Sequence, residues 1–126
     1  MSFYGLLAVG AGAAMGAWLR WWFGLLWNPL FPTLPFGTLA ANLLGGYLMG
    51  LAMALFAEHP SLSVETRLLI TTGFLGGLTT FSTFSGETAT LLMRAQYAWA
   101  GVIISAHVLG SVFMTIMGFM TVRLFK

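Results

Sequence analysis

The sequence TTGFLGGLTTFSTFSG occupies positions 71–86 and differs from the leucine- and valine-rich core of an ordinary membrane-spanning helix. Two adjacent glycines, Gly76 and Gly77, lead into threonines, serines and phenylalanines, most of which are mildly unfavourable in a helix. This weak point falls halfway between Arg67 and Arg94, near the bilayer midplane. The pattern predicts a broken helix there, while a continuous helix whose hydroxyls bond the preceding turn is the alternative.

The composition places the chain in a membrane. It is 59% hydrophobic and only 6% charged, whereas soluble domains are roughly one-quarter charged. The net charge of +2 is scattered, which argues against nucleic acid as a partner. The chain has no cysteine, no aspartate, no cluster of metal-ligating side chains and no phosphate-binding glycine loop, so we do not expect an enzyme.

The apolar stretches predict an all-α membrane protein with four transmembrane helices and a broken third helix. The spans cover about residues 3–27, 36–57, 67–94 and 97–124 and form a single domain over residues 1–126. Each is long enough, since a span needs roughly 20 residues, and open strands would leave backbone groups unpaired in lipid. We expect the N-terminal stretch to be the first helix itself and not a removed signal peptide.

Small residues repeat at helical spacing in two of these spans. Gly12 and Gly16 lie four residues apart, as do Gly46 and Gly50. Such pairs allow helix backbones to approach closely, although glycine is also common in membrane helices generally. We interpret both faces as packing surfaces.

The positive charges give almost no orientation signal. With four spans, Arg67, Arg123 and Lys126 share one side, against Arg20 and Arg94 on the other. Three against two does not select an orientation, so the chain could insert both ways and pair with an inverted copy of itself. The alternative is a single topology set by one of these charges. Because four short helices make a poor pore wall, we expect a homodimer.

The phenylalanines of the central stretch are candidates for an anion path. Phe81 and Phe84 share a helix face and are flanked by Ser82, Thr83 and Ser85. The edge of an aromatic ring is electropositive, so it can face a small anion without a fixed charge that would trap it. A core pair with hydroxyls bonded to the backbone is the simpler alternative.

Two polar stripes accompany this motif on the neighbouring helices. Each contains residues at four-residue spacing: Thr38, Asn42 and Gly46 in the second span, and His107, Ser111 and Thr115 in the fourth. Their amide and hydroxyl groups could donate hydrogen bonds to a dehydrating anion, or could simply join helices. We expect Arg20 to reach the lipid headgroups, or to act as a vestibule charge that raises the local anion concentration.

Two strings in these spans resemble the signatures of the bacterial Fluc/CrcB fluoride channels: TTGFLGGLTTFSTFS at 71–85 and GTLAANLLGG at 37–46. Arg20 and the Gly110-Ser111 pair fit the same pattern, and the similarity extends over all four spans. The resemblance implies an antiparallel, dual-topology homodimer with two fluoride pores, and it assigns the following roles. Pore phenylalanines are Phe81 and Phe84; the pore amide is Asn42, with Thr38, His107 and Ser111 nearby; a hydroxyl track comprises Ser82, Ser85 and Thr115.

The resemblance also implies a structural sodium ion at the dimer centre. Its ligands would be the backbone carbonyls of Gly76 and Thr79 from both subunits. A break at this depth frees carbonyls that lipid cannot satisfy, which is consistent with such a site. The expected function is passive fluoride export across the bacterial cytoplasmic membrane.

Two other functions remain open from the residues alone. A small proton-coupled drug exporter would also have four helices, but that mechanism needs an acidic residue deep in the membrane. Glu58 and Glu65 lie in the middle loop, and Glu87 lies toward one end of the third span. An accessory membrane subunit is the third possibility, but it would not require a polar midplane.

Overall fold

The computed structural model covers all 126 residues and is built from helices and short connections, with no strand. Helix α1 spans Phe3–Trp27, α2 spans Phe36–Glu58 and α6 spans Tyr97–Leu124. Between α2 and α6 lie α3 (Val64–Leu68), a π-helix (Leu69–Leu75), α4 (Gly76–Leu78) and α5 (Phe81–Met93). The all-helical prediction is confirmed.

The third span is broken, as the sequence predicted. Residues 64–78 form one helical half, which comprises α3, the π-helix and α4, and α5 forms the other. Thr79 and Thr80 between them have extended backbone angles, with ψ of 155° and 111°. The π-helix was not anticipated from the sequence; such segments occur often near functional sites.

Three helical segments are long and apolar enough to cross a membrane: Phe36–Glu58, Val64–Met93 and Tyr97–Leu124. The 25-residue α1 is also of spanning length, but its glycines, tryptophans and Arg20 reduce its hydropathy. The chain is therefore a multi-pass membrane protein, and the fourth span remains a prediction for α1.

Local sequence explains where the helices begin and end. The Ser2 hydroxyl accepts from the Gly5 N–H at 2.9 Å and caps α1, and Ser63 caps α3 in the same way through Thr66. Asn28-Pro29 ends α1 in a 3₁₀ turn. Between α5 and α6 the chain turns through Ala95, whose φ is 58°.

The glycine faces pack helices closely, as predicted. A Cβ on Gly12 would lie 2.7 Å from the backbone nitrogen of Phe74, so α1 rests directly on the π-helix. A Cβ on Gly50 would lie 2.8 Å from the backbone nitrogen of Phe119, and α2 and α6 meet there. Neither position has room for a larger residue.

Most of the surface is apolar and only a small part of the chain is enclosed. Of the 126 residues 22 are buried, while large side chains such as Trp18, Trp21 and Leu109 are 65–68% exposed. This distribution suits a protein whose solvent is lipid. The buried apolar residues form two clusters, one that includes Leu75 and Leu78 before the break and one that includes Phe84 and Leu91 after it.

Candidate functional site at the helix break

The break is held open by a clamp between α2 and Thr80. The Thr80 N–H donates to Asn42 Oδ1 at 2.7 Å, and Asn42 Nδ2 donates to the Thr80 carbonyl at 3.1 Å. The Thr80 hydroxyl accepts from the Thr83 N–H at 3.1 Å and so begins α5. One amide side chain therefore satisfies both backbone groups of the residue at which the helix is interrupted.

This clamp leaves helix carbonyls without their usual donors. In a continuous helix the Thr80 N–H would bond the Gly76 carbonyl and the Thr83 N–H would bond the Thr79 carbonyl. Both donors are used elsewhere, so the carbonyls of Gly76 and Thr79 are free of these bonds. No group of three or more His, Cys, Asp or Glu side chains could hold a metal, so a cation here would depend on such carbonyl oxygens.

Arg20 does not extend to the headgroups, and that interpretation was wrong. Its Nε donates to the Gly77 carbonyl at 3.0 Å, across 57 residues of sequence. A guanidinium at the C-terminal end of residues 64–78 interacts favourably with the negative end of the helix dipole. Arg20 also lines a cavity of about 320 Å³ together with Thr38, Thr80 and Thr83.

The break opens onto a cavity with a volume of about 480 Å³. Eight predicted site residues line this central cavity: Asn42, Gly76, Thr79, Phe81, Phe84, His107, Ser111 and Thr115. Helix α2, both halves of the third span and α6 all contribute to the wall, and none of the 16 lining residues carries a fixed charge.

The two phenylalanines differ sharply in their surroundings. Phe81 is 77% exposed, whereas Phe84 is 7% exposed. Their rings meet edge to face, with centroids 5.4 Å apart, and the His107 ring packs on Phe84 at 4.8 Å. Phe84 is therefore held inside the chain, while Phe81 projects from it.

The hydroxyl groups are less uniformly placed than the stripes suggested. Thr115 Oγ1 donates to the Gly46 carbonyl at 2.9 Å and also lies 3.0 Å from the Ser111 carbonyl, as expected for a helix-joining contact. Ser82 and Ser85 are exposed on α5 and do not line the central cavity. Their assigned role as a hydroxyl track stays a prediction.

Thr38 lies one turn before Asn42 in α2 but in a different environment. Its hydroxyl donates to Glu87 Oε2 at 2.7 Å, and its N–H donates to Asn28 Oδ1 at 3.0 Å. It lines the Arg20 cavity and not the central one. The second oxygen of Glu87 is buried without a hydrogen-bond partner.

Sequence reasoning did not single out Thr80 or Asn28, although both organise the site. Thr80 is 8% exposed and belongs to the threonine pair that follows the glycines, so its position after Gly-Gly was the available signal. Asn28 caps the first turn of α2 from another segment, and nothing in the local pattern indicated that pairing.

Comparison with known proteins gives a consistent answer. A family model described as "CrcB-like protein, Camphor Resistance (CrcB)" matches residues 7–119. A protein of Nitrosospira multiformis is 66% identical over 98% of this chain and 96% of its own length. Proteins of Ralstonia nicotianae and Ralstonia pickettii are 58% and 56% identical, over 98% and 100% of both chains, respectively. Each of the three is named a fluoride-specific ion channel FluC.

Proposed function

The chain belongs to the CrcB family, and on that basis we propose that it is a fluoride-specific ion channel of the bacterial cytoplasmic membrane. Relatives named as such channels match it over nearly their whole length. The proposed activity is passive conduction and involves no bond-making step, so the protein is not an enzyme.

Passive conduction is sufficient for export. Hydrogen fluoride is a neutral weak acid that crosses membranes and dissociates inside the cell, where fluoride is then trapped. An interior-negative membrane potential favours outward movement of an anion by about 2.3 kcal/mol per charge per 100 mV. The protein needs only to supply a selective path.

The central cavity is the observation that carries the proposal. It joins an aromatic pair, an amide, an imidazole and hydroxyl groups at the level of the break, and its lining has no fixed charge. Ring edges and neutral donors attract an anion weakly, and weak binding is what conduction requires, because an ion must also leave. A lysine or arginine at the same place would hold the anion.

A proton-coupled drug exporter is less well supported. That mechanism needs a carboxylate in the substrate cavity, and no acidic residue lines the central one. Glu87 bonds Thr38 and lines a separate cavity of about 200 Å³ with Arg94. The similarity to proteins named as channels gives no reason to prefer an exporter.

We further propose that the channel works as an antiparallel homodimer with two pores. In the single chain, the exposed side of the break includes Gly76, Phe81, Ser82 and Ser85. Irregular backbone and hydroxyl groups at membrane depth must be buried in protein or face water. A second copy of this chain, inverted because the charges select neither orientation, would cover that side and bring two breaks together.

The same arrangement would suit a structural sodium ion. The carbonyls of Gly76 and Thr79 have lost their helical donors, and two copies would supply four such oxygens. Sodium would neutralise these carbonyl dipoles at a depth where lipid offers no donor. Replacing sodium with a large organic cation should lower the thermal stability of the purified protein and its fluoride flux.

The function is tested by flux from liposomes that contain the purified protein. With potassium fluoride inside, valinomycin should trigger rapid fluoride release, because potassium movement relieves the potential that otherwise stops a lone anion. With potassium chloride inside, chloride should remain trapped. Equal chloride release, or fluoride release that requires a proton gradient, would contradict the proposal.

A further inference from the structure

The Thr80 backbone fixes the orientation of the Asn42 amide. Asn42 Oδ1 faces an N–H and Asn42 Nδ2 faces a carbonyl. Turning the amide over would place NH₂ against N–H and oxygen against oxygen, and both contacts would be repulsive. The orientation is therefore determined by backbone groups that cannot exchange donor and acceptor roles.

The fixed amide in turn determines the protonation of His107. Asn42 Nδ2 lies 2.9 Å from His107 Nδ1, and Nδ2 can only donate. His107 Nδ1 must then accept, which requires a neutral ring that carries its proton on Nε2. An imidazolium, or the other neutral tautomer, would bring two N–H groups into conflict.

The consequence is a donor without an acceptor. His107 is 4% exposed, and its Nε2 is buried with no hydrogen-bond partner in the chain. Leaving a buried donor unsatisfied costs about 1–3 kcal/mol, so such groups call for an explanation. His107 is one of the residues that line the central cavity, where a small acceptor is expected if the protein conducts an anion.

We infer that the Nε2–H of His107 donates a hydrogen bond to a passing dehydrated fluoride, and that Asn42 and Thr80 set the tautomer that makes this possible. The inference rests on the proposed function. It links the break in the third span to the chemistry of the path, because the same amide that clamps Thr80 orients the donor. Packing of the ring on Phe84 keeps the donor beside the aromatic pair.

The chain supplies an internal control, since it contains only two histidines. His59 Nδ1 lies 2.8 Å from the Leu55 carbonyl, which can only accept, so His59 must carry a proton on Nδ1. Nitrogen-15 NMR of histidine-labelled protein without fluoride should therefore show different tautomers for the two rings. The variant His59→Asn assigns the signals. A proton on Nδ1 of His107 would overturn the inference and leave the proposed function untouched.

Two substitutions then test the donor itself. His107→Gln places an amide N–H about where Nε2 lies, whereas His107→Phe keeps a ring against Phe84 but has no donor. We expect fluoride flux through His107→Phe to be at least about tenfold lower than through His107→Gln, as expected for the loss of a hydrogen bond to a charged group. Both purified variants should keep the helical content of the wild type.

Fluoride addition should shift the His107 Nε2–H signal, and chloride should not. Two results would overturn the inference and assign the donor to water. One is equal fluoride flux through His107→Gln and His107→Phe while the wild-type protein conducts; the other is a His107 Nε2–H signal that does not shift when fluoride is added. Absence of fluoride flux in the wild type would instead refute the proposed function.

Discussion

Asn42 of α2 bonds both backbone groups of Thr80, accepting from its N–H at 2.7 Å and donating to its carbonyl at 3.1 Å. The two residues are 38 positions apart, and their contact takes the place of the helical bonds lost at the break. A broken helix at membrane depth is tolerated only where its polar groups find partners. Here one side chain supplies the partners for both backbone groups of Thr80 and also lines the proposed path.

The variant Asn42→Ala should therefore lose stability as well as flux. It leaves two groups of the buried Thr80 without partners, at about 1–3 kcal/mol each. Tyr47→Phe is the matched control, because it removes the α2–α6 hydrogen bond between Tyr47 and Thr121 away from the break. Thermal unfolding and liposome flux should show a large loss for Asn42→Ala and a small loss of stability alone for Tyr47→Phe. Comparable flux in both variants would contradict the clamp.

Isoleucine substitutions should distinguish the roles of Phe81 and Phe84 in conduction and in stability. Both Phe81→Ile and Phe84→Ile should suppress fluoride flux, because each variant removes one of the two aromatic rings that line the central cavity. Only Phe84→Ile should lower the stability of the single chain, since Phe84 is 7% exposed and Phe81 is 77% exposed. Phe113→Ile on the exposed side of α6 should change neither quantity. Normal conduction in both path variants would favour simple core packing.

Arg20 should contribute to the thermal stability of the protein and to the fluoride dependence of conduction, which can be measured separately. Arg20→Gln and Arg20→Lys should both be less stable to heat, because each loses the hydrogen bond from Arg20 Nε to the Gly77 carbonyl. If its charge also concentrates anions, Arg20→Gln should conduct less than Arg20→Lys at low fluoride and about equally at saturating fluoride. Arg123→Gln, which removes an exposed charge beside Phe119, is the control. Identical fluoride dependence in the Gln and Lys variants would exclude the vestibule role.

Gly76 tests the proposed dimer at the break. A Cβ there has room within the chain, the nearest atom being the Thr71 carbonyl oxygen at 3.7 Å. Gly76→Ala should therefore leave the single chain folded but weaken association, because the partner's break would meet the methyl group. Gly101→Ala, with no atom within 4 Å of its Cβ, is the control. Unchanged dimerisation of Gly76→Ala, measured by light scattering, would argue against contact at the breaks.

The near-even charge count predicts insertion in both orientations. A C-terminal tag should be accessible from both sides of the membrane in comparable amounts. Three lysines added to one terminus should bias insertion through the positive-inside rule and reduce activity, and a co-expressed partner with the opposite bias should restore it. A tag found on one side only in the unmodified protein would refute dual topology.

Much of the fold could be read from the sequence because the relevant signals are local. Lipid forces apolar stretches of spanning length into helices, so the helix bounds followed from hydropathy and from the proline, glycine and charged positions. The glycines and threonines of the third span predicted the break for the same reason, since each is a poor helix former at its own position. Half of the central cavity's lining followed too, since eight of its 16 residues were predicted, four of them (Asn42, His107, Ser111 and Thr115) through four-residue spacing along α2 and α6.

The tertiary structure alone decided where the polar groups of these helices find their partners. Arg20 bonds the Gly77 carbonyl instead of a headgroup, Thr38 pairs with Glu87 outside the central cavity, and His107 receives its tautomer from Asn42. Spacing within one helix defines which residues share a face, but not the rotation and depth at which that face meets another helix. Those depend on packing between segments distant in sequence, so only the folded chain determines which donors are used in contacts and which remain for an ion.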